Sequence, residues 1–230
     1  MMSYWILFIA IAVVSWLVSN NLKNKEKKYS RIPLDNGMTG KDIAEQMLRD
    51  NGIYDVQVVV TGGMLTDNYN PTNKTISLSE AVYRGDNVFA AAVAAHETGH
   101  AVQHARVYAP LKMRSVLVPV VSFSSRWVTW ILLGGLLLMG RGSTFGPSIL
   151  LAGIGLFSLT TLFSFITLPV EINASKRALT WLNHASITTS RNHTAAEGAL
   201  KAAAYTYVVA ALASLATLLY YILIFLGGRR

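Results

Sequence analysis

Cysteine is absent from all 230 residues. That excludes disulfides and any thiolate metal site. Charge is scarce as well. Charged side chains make up 14% of the chain and hydrophobic ones 52%, where a soluble domain carries about a quarter charged. So few charges cannot cover a water-exposed surface, so much of this chain must face lipid or protein. The charge that remains is unbalanced, at a formal +8. The basic residues stand beside apolar runs, which fits an anionic membrane surface and argues against nucleic acid as a partner. There is no internal repeat and no low-complexity tract.

What is present divides along the chain. Residues 1–22 hold no charged side chain, and the basic block "KNKEKKYSR" follows them. A secretory signal would carry its positive charge before the apolar run and a small-residue cleavage site after it, so an anchor helix is expected here. Three further apolar segments run over Val116–Met139, Ser148–Leu168 and Ala204–Leu226. Arg126, flanked by Trp127 and Trp130, interrupts the first of these. It reads either as an interfacial residue or as an arginine facing a polar cavity. The expected organisation is an anchor (1–22), a membrane-proximal catalytic region (23–114), a transmembrane hairpin (115–168), a loop and helix (169–203) and a last transmembrane helix (204–230). Twelve Lys or Arg fall between Lys23 and Arg114, and four between Pro169 and Ala203. Four spans put both segments on one side, and the positive-inside rule makes that side cytoplasmic; the terminal "GGRR" would then lie outside.

In the first polar segment, "TGKDIAEQMLRDNG" predicts a short helix. Thr39 and Asp42 form a capping box, Ile43, Ala44, Met47 and Leu48 the apolar face, and Asn51 and Gly52 the stop. Val56–Val60 and Lys74–Ser79 predict a strand pair joined by a long irregular connection. One strand edge either faces a substrate or belongs to a sheet that only supports the next helix. That helix is expected to open on Asp86 as N-cap. It is apolar almost all round, so it should be buried.

A buried helix carrying His96, Glu97, His100 and His104 requires an explanation, because unpaired polar groups are costly there. His96-Glu97-Thr98-Gly99-His100 is an HExxH sequence. Residues four apart project from nearly one face, so both imidazoles can reach one zinc ion. Glu97, turned by roughly 100°, can serve as general base toward the attacking water. His104 continues the stripe, but its Cα stands about 12 Å along the axis from that of His96. Three imidazoles on one straight helix cannot converge. His104 therefore orients a neighbour, lines the cleft or is a polar residue at the helix end. A third ligand must come from elsewhere: His184, His193, Glu171, Glu197 or an acid of the first segment. Glu171 stands out, because two spans return it to the face of His100 and Pro169 can start a helix beside it.

The stretches "GGMLTDNYNPTNKTISLS", "VAAHETGHAVQHARVYAPLKMRSVLVPV" and "VEINASKRAL" resemble the YugP-like family of bacterial membrane zinc metallopeptidases, over about residues 30–220. More distantly the chain is similar to the HtpX-like and CAAX-prenyl-protease metallopeptidases. The resemblance implies one zinc ion per chain held by His96, His100 and Glu171, with Glu97 as general base. The distant relatives carry an aspartate four residues after the ligand glutamate. Here that position is Ser175, so Asn173 or Ser175 would take its place. Arg177, His193, His184, Tyr69 and Arg126 are candidates for stabilising an oxyanion.

The expected fold is a mainly α membrane protein, with about four transmembrane helices and a small α+β zincin-like catalytic region. The expected function is a membrane-embedded zinc endopeptidase of the bacterial cell membrane. It would take protein or peptide substrates, and membrane-protein partners or further copies of itself could join it. The competing expectation is a non-proteolytic zinc-binding scaffold acting through partners. A site-2-type intramembrane protease is disfavoured, because no Asp-Gly follows residue 100.

Overall fold

A computed structural model describes residues 2–63 and 65–227. Met64 of the strand connection and all of "GGRR" except Gly227 lie outside the described residues. The chain is mainly helical and carries one small sheet. Among the described residues, four helices are long and apolar enough to cross a membrane.

Helix α1 (Met2–Tyr29) outruns the apolar segment, and its last turns hold the basic block. Lys27 and Lys28 there suit the negative end of the helix dipole. Helix α2 (Gly40–Asp50) forms where expected. The Thr39 hydroxyl accepts from the Asp42 N–H, and the Asp42 carboxylate accepts from the Thr39 N–H at 2.9 Å. Ile43, Ala44, Met47 and Leu48 are buried, and Gly52 takes the positive φ that ends the turn.

The sheet differs from the expected pair. It has three strands, β1 (Gln57–Thr61), β2 (Asn68–Asn70) and β3 (Thr75–Ser79), in the order β1-β3-β2. β1 runs parallel to β3, and β2 antiparallel to it. The third strand lies inside the connection that reads as irregular, because "NYN" has two residues of poor strand propensity. Ile76 and Leu78 of β3 are fully buried, while the register sets Tyr69 opposite Ile76.

After α3 (Glu80–Tyr83) comes α4 (Val88–Ala105). Its N-cap is Asn87, not Asp86. The Asn87 side chain accepts from the Ala90 N–H at 3.0 Å, while the Asp86 carbonyl accepts from the Leu34 N–H at 2.8 Å. α4 is buried on nearly every side, as its apolar circumference requires.

Three long helices complete the chain: α5 (Ala109–Gly140), α6 (Gly146–His184) and α7 (Ser190–Gly227). Pro169 does not start a helix; it sits inside α6, which runs on unbroken from the apolar segment. Likewise α7 begins fourteen residues before the apolar run at Ala204 (204 − 190). Hydropathy marks where a helix stops being apolar, not where it stops.

The chain forms two compact units. One holds the residues up to Leu111 and Pro169–Thr206; the other holds Lys112–Leu168 and the residues from Tyr207 onward. The first is cored by Ile43, Met47, Ile76, Leu78, Val88 and Leu182. The second is cored by Val128, Leu132, Leu150, Ile154 and Tyr221.

Candidate metal centre

Helix α4 lies against α6 at Gly99. A Cβ built at Gly99 would stand 2.8 Å from the Ala174 carbonyl oxygen, so any other residue would force the two backbones apart. Ala174 is itself fully buried. The close crossing brings the α6 side chains near residue 171 beside the histidine stripe of α4.

There the side chains converge. Glu171 Oε2 lies 3.2 Å from His96 Nε2 and 3.4 Å from His100 Nε2. The two imidazoles meet edge to face, with ring centroids 4.8 Å apart. A tetrahedral ion with bonds of ~2.0–2.1 Å has ligand atoms about 3.3–3.4 Å apart. The two Glu171 distances match that edge. Two imidazoles, one carboxylate and no thiolate also form a donor set that suits zinc. Among the described residues, His96, His100 and Glu171 are the group of histidines and acids close enough to share an ion. His104, His184, His193 and Glu197 do not join it. After Glu97 the chain holds two acidic residues, Glu171 and Glu197.

The electrostatics match this closeness. Burial opposes charge on the His100 ring. The hydrogen bond to Glu171 and the carboxylates of Glu97 and Glu171 outweigh it, and the pKa rises above the ordinary histidine value. Glu97 follows His96 on α4 and is itself buried.

Around the three lies a second layer of hydrogen bonds. Ser175 Oγ lies 3.1 Å from His96 Nδ1. Gln103 Oε1 lies 3.0 Å from His100 Nδ1. Gln103 Nε2 donates to the Val170 carbonyl at 2.8 Å and to Asn173 Oδ1 at 3.0 Å. Arg177 Nε donates to the same Asn173 oxygen at 2.8 Å. Sequence reasoning missed Gln103 and Gly99. Both had a signal: Gln103 stands three residues after His100, on the same helix stripe, and Gly99 is a glycine inside a buried helix, where only a close approach justifies it.

The remaining candidates sit apart from this group. His104 is exposed in the last turn of α4, with its Nδ1 2.8 Å from Tyr69 Oη of β2. It therefore ties the sheet to the helix. Burial and the Asp55 carboxylate raise the Tyr69 pKa, so the phenol stays protonated. His193, in the first turn of α7, pairs its Nδ1 with Thr188 Oγ1 at 2.8 Å. His184 closes α6 and lines a cleft of about 380 Å³ with Lys176, Arg177 and Trp181. Arg126 is exposed on α5.

Comparison with known proteins agrees with this geometry. A family model described as "Putative neutral zinc metallopeptidase" matches residues 4–226. The chain is 41% identical over 230 residues to the protein named "Putative membrane protease YugP" of Bacillus subtilis (strain 168), covering 99% of each chain. No solved structure matches. A match across nearly the whole length, with two histidines and a glutamate that could hold a metal ion drawn together inside it, settles the family: the chain belongs to the one described as "Putative neutral zinc metallopeptidase".

Proposed function

We propose that this protein is a multi-pass membrane zinc endopeptidase that hydrolyses peptide bonds of protein or peptide substrates. The observation that carries the reading is the convergence of His96, His100 and Glu171, with Glu97 on the turn that bears two of them. His96 and His100 would hold the ion through Nε2, and Glu171 through its carboxylate. A zinc ion held there supplies a Lewis acid that makes water nucleophilic at neutral pH.

The chain's own residues do the rest. Glu97 accepts a proton from the attacking water on its carboxylate and returns it to the leaving amine. Ser175 and Gln103 hold the two imidazoles by their Nδ1 atoms. β2 is an edge of the sheet. Its outer side offers unpaired backbone groups on which an extended peptide could be laid. The Tyr69–His104 bond anchors that strand to the ligand helix. Sixteen of twenty basic residues fall in the two segments that carry the site residues (12 + 4). That bias supports a cytoplasmic metal centre in a bacterial cell membrane.

The test is full-length Glu97→Gln beside wild type, purified in detergent. Metal content is read by mass spectrometry and cleavage with fluorescently labelled casein. The variant should keep one zinc per chain, and its rate should fall by about 10²–10⁴. Cleavage at the wild-type rate would overturn the mechanism. Zinc bound without any cleavage by wild type, over a panel of unfolded proteins, would favour the scaffold.

A further inference from the structure

The oxygen and nitrogen of a side-chain amide are told apart by the partners they keep. Gln103 is fully buried, so its orientation matters. Two of the groups around it have one polarity each. The Arg177 guanidinium can only donate, and its Nε lies 2.8 Å from Asn173 Oδ1. That oxygen is therefore turned toward Arg177. It accepts again from Gln103 Nε2 at 3.0 Å. The Val170 carbonyl can only accept, and it takes the other Gln103 Nε2 hydrogen at 2.8 Å. Both amide hydrogens are used, which leaves Oε1 facing His100 Nδ1 at 3.0 Å. Flipping the amide would set Oε1 against two acceptors in a buried place, at a cost of roughly 1–3 kcal/mol for each unmade bond. Since Oε1 can only accept, the His100 proton must sit on Nδ1. In the neutral ring the lone pair is then on Nε2, the atom that faces Glu171.

His96 is held differently. Its Nδ1 meets the Ser175 hydroxyl, which can donate or accept. One ligand is fixed by its surroundings and the other can adjust.

We propose that Arg177, Asn173 and Gln103 are a positioning relay that fixes the Nδ1–H tautomer of His100 and so presents its Nε2 to the metal. The relay reaches the ligand from a flank that bears no ligand: Asn173 lies about 160° round α6 from Glu171, and Arg177 lines the cleft beyond it. Arg177 is thus a positioning residue, acting through Asn173 and Gln103. The proposal rests on the zinc-site reading above.

The experiment uses full-length protein in detergent, with ¹⁵N-labelled histidine. Zinc affinity is measured by competition with a chromophoric chelator, and the ring tautomers of the metal-free protein by ¹⁵N NMR at alkaline pH. Gln103→Leu should weaken zinc binding about 10–100-fold and give His100 a second, Nε2–H population. Arg177→Ala should move both readouts the same way by less, and Arg177→Lys should restore part of the loss. The double variant Gln103→Leu/Arg177→Ala should be no worse than Gln103→Leu alone, because Arg177 acts through Gln103. Additive losses, or an unchanged tautomer in Gln103→Leu, would overturn the relay. If Gln103→Leu does not fold, Arg177→Ala alone decides: wild-type affinity and tautomer would overturn the relay. Glu171→Ala separates the two readings. Full zinc affinity in that variant sinks the metal site itself. Zinc lost there but kept in Gln103→Leu sinks only the relay.

Discussion

The two units use their side-chain hydrogen bonds differently. In the unit that carries the candidate metal centre, side chains reach across elements: Gln103 of α4 to Val170 and Asn173 of α6, Ser175 to His96, and Tyr69 of β2 to His104. In the other unit hydroxyls mostly turn back on their own helix. Ser158 donates to the Gly155 carbonyl, Thr161 to Phe157, Ser164 to Thr160 and Thr167 to Phe163. Where no water reaches a stray polar group, as in a bilayer, local satisfaction is the safe solution. Contacts between helices in that unit include small residues and apolar packing. Gly135 meets the Leu150 backbone, and Phe157 packs edge to face on Tyr221. The unit with the site uses its hydrogen bonds to specify geometry. The helical unit uses them mainly to avoid a penalty.

The sharpest way to break this contrast is Glu171→Ala. Losing a metal ligand should cost more than the ~10–100-fold in affinity expected from losing an outer partner. Equilibrium dialysis against zinc measures it. Next comes a matched pair of glycines, because each unit contains a close approach between two long helices that only glycine allows. A Cβ at Gly99 would stand 2.8 Å from the Ala174 carbonyl oxygen, and one at Gly135 would stand 2.6 Å from the Leu150 nitrogen. Each alanine should cost about 1–3 kcal/mol of stability, read as a lower thermal midpoint in detergent. Only Gly99→Ala should also weaken zinc binding, because it moves the helix that supplies Glu171. Equal zinc affinity in both variants would remove the distinction.

A smaller effect is expected at the α2 cap. Thr39→Ala should cost about 1 kcal/mol. The Thr39 hydrogen bonds hold the Asp42 carboxyl below its ordinary pKa. Its contribution is therefore fully present above the unfolded carboxylate value of about 3.9, and is lost as pH falls through the lower folded value. The difference between wild type and Thr39→Ala should shrink in acid, as followed by urea titration across pH. The smallest effect belongs to a side-chain hydrogen bond between α6 and α7 in the second unit, Thr161 with Ser214 at 2.7 Å. Thr161→Val should cost only about 0.6 kcal/mol, with no change in zinc affinity.

How much of this the sequence disclosed depended on how local the cause was. The α2 helix was legible because Thr39, Asp42, Asn51 and Gly52 set its ends from within the segment. The histidine spacing was legible because helix geometry is fixed. β2 was not, since Asn68 and Asn70 have no strand preference of their own and are held by pairing with β3. The Asn87 cap was missed by one residue, because the Asp86 carbonyl is recruited by Leu34, far back in the chain. Pro169 read as a helix start, yet a long apolar helix tolerates one lost N–H. Counting spans points to Glu171, but its approach to the imidazoles depends on Gly99 and Ala174 touching. A contact 75 residues apart in sequence leaves no periodic trace (174 − 99).

That separation also sets an order in time. During synthesis the two histidines emerge 71 residues ahead of the glutamate (171 − 100), with most of α5 and α6 made in between. A nascent chain arrested anywhere before residue 171 has the HExxH helix but not Glu171. The group of His96, His100 and Glu171 is therefore complete only after most of the apolar segments have been produced.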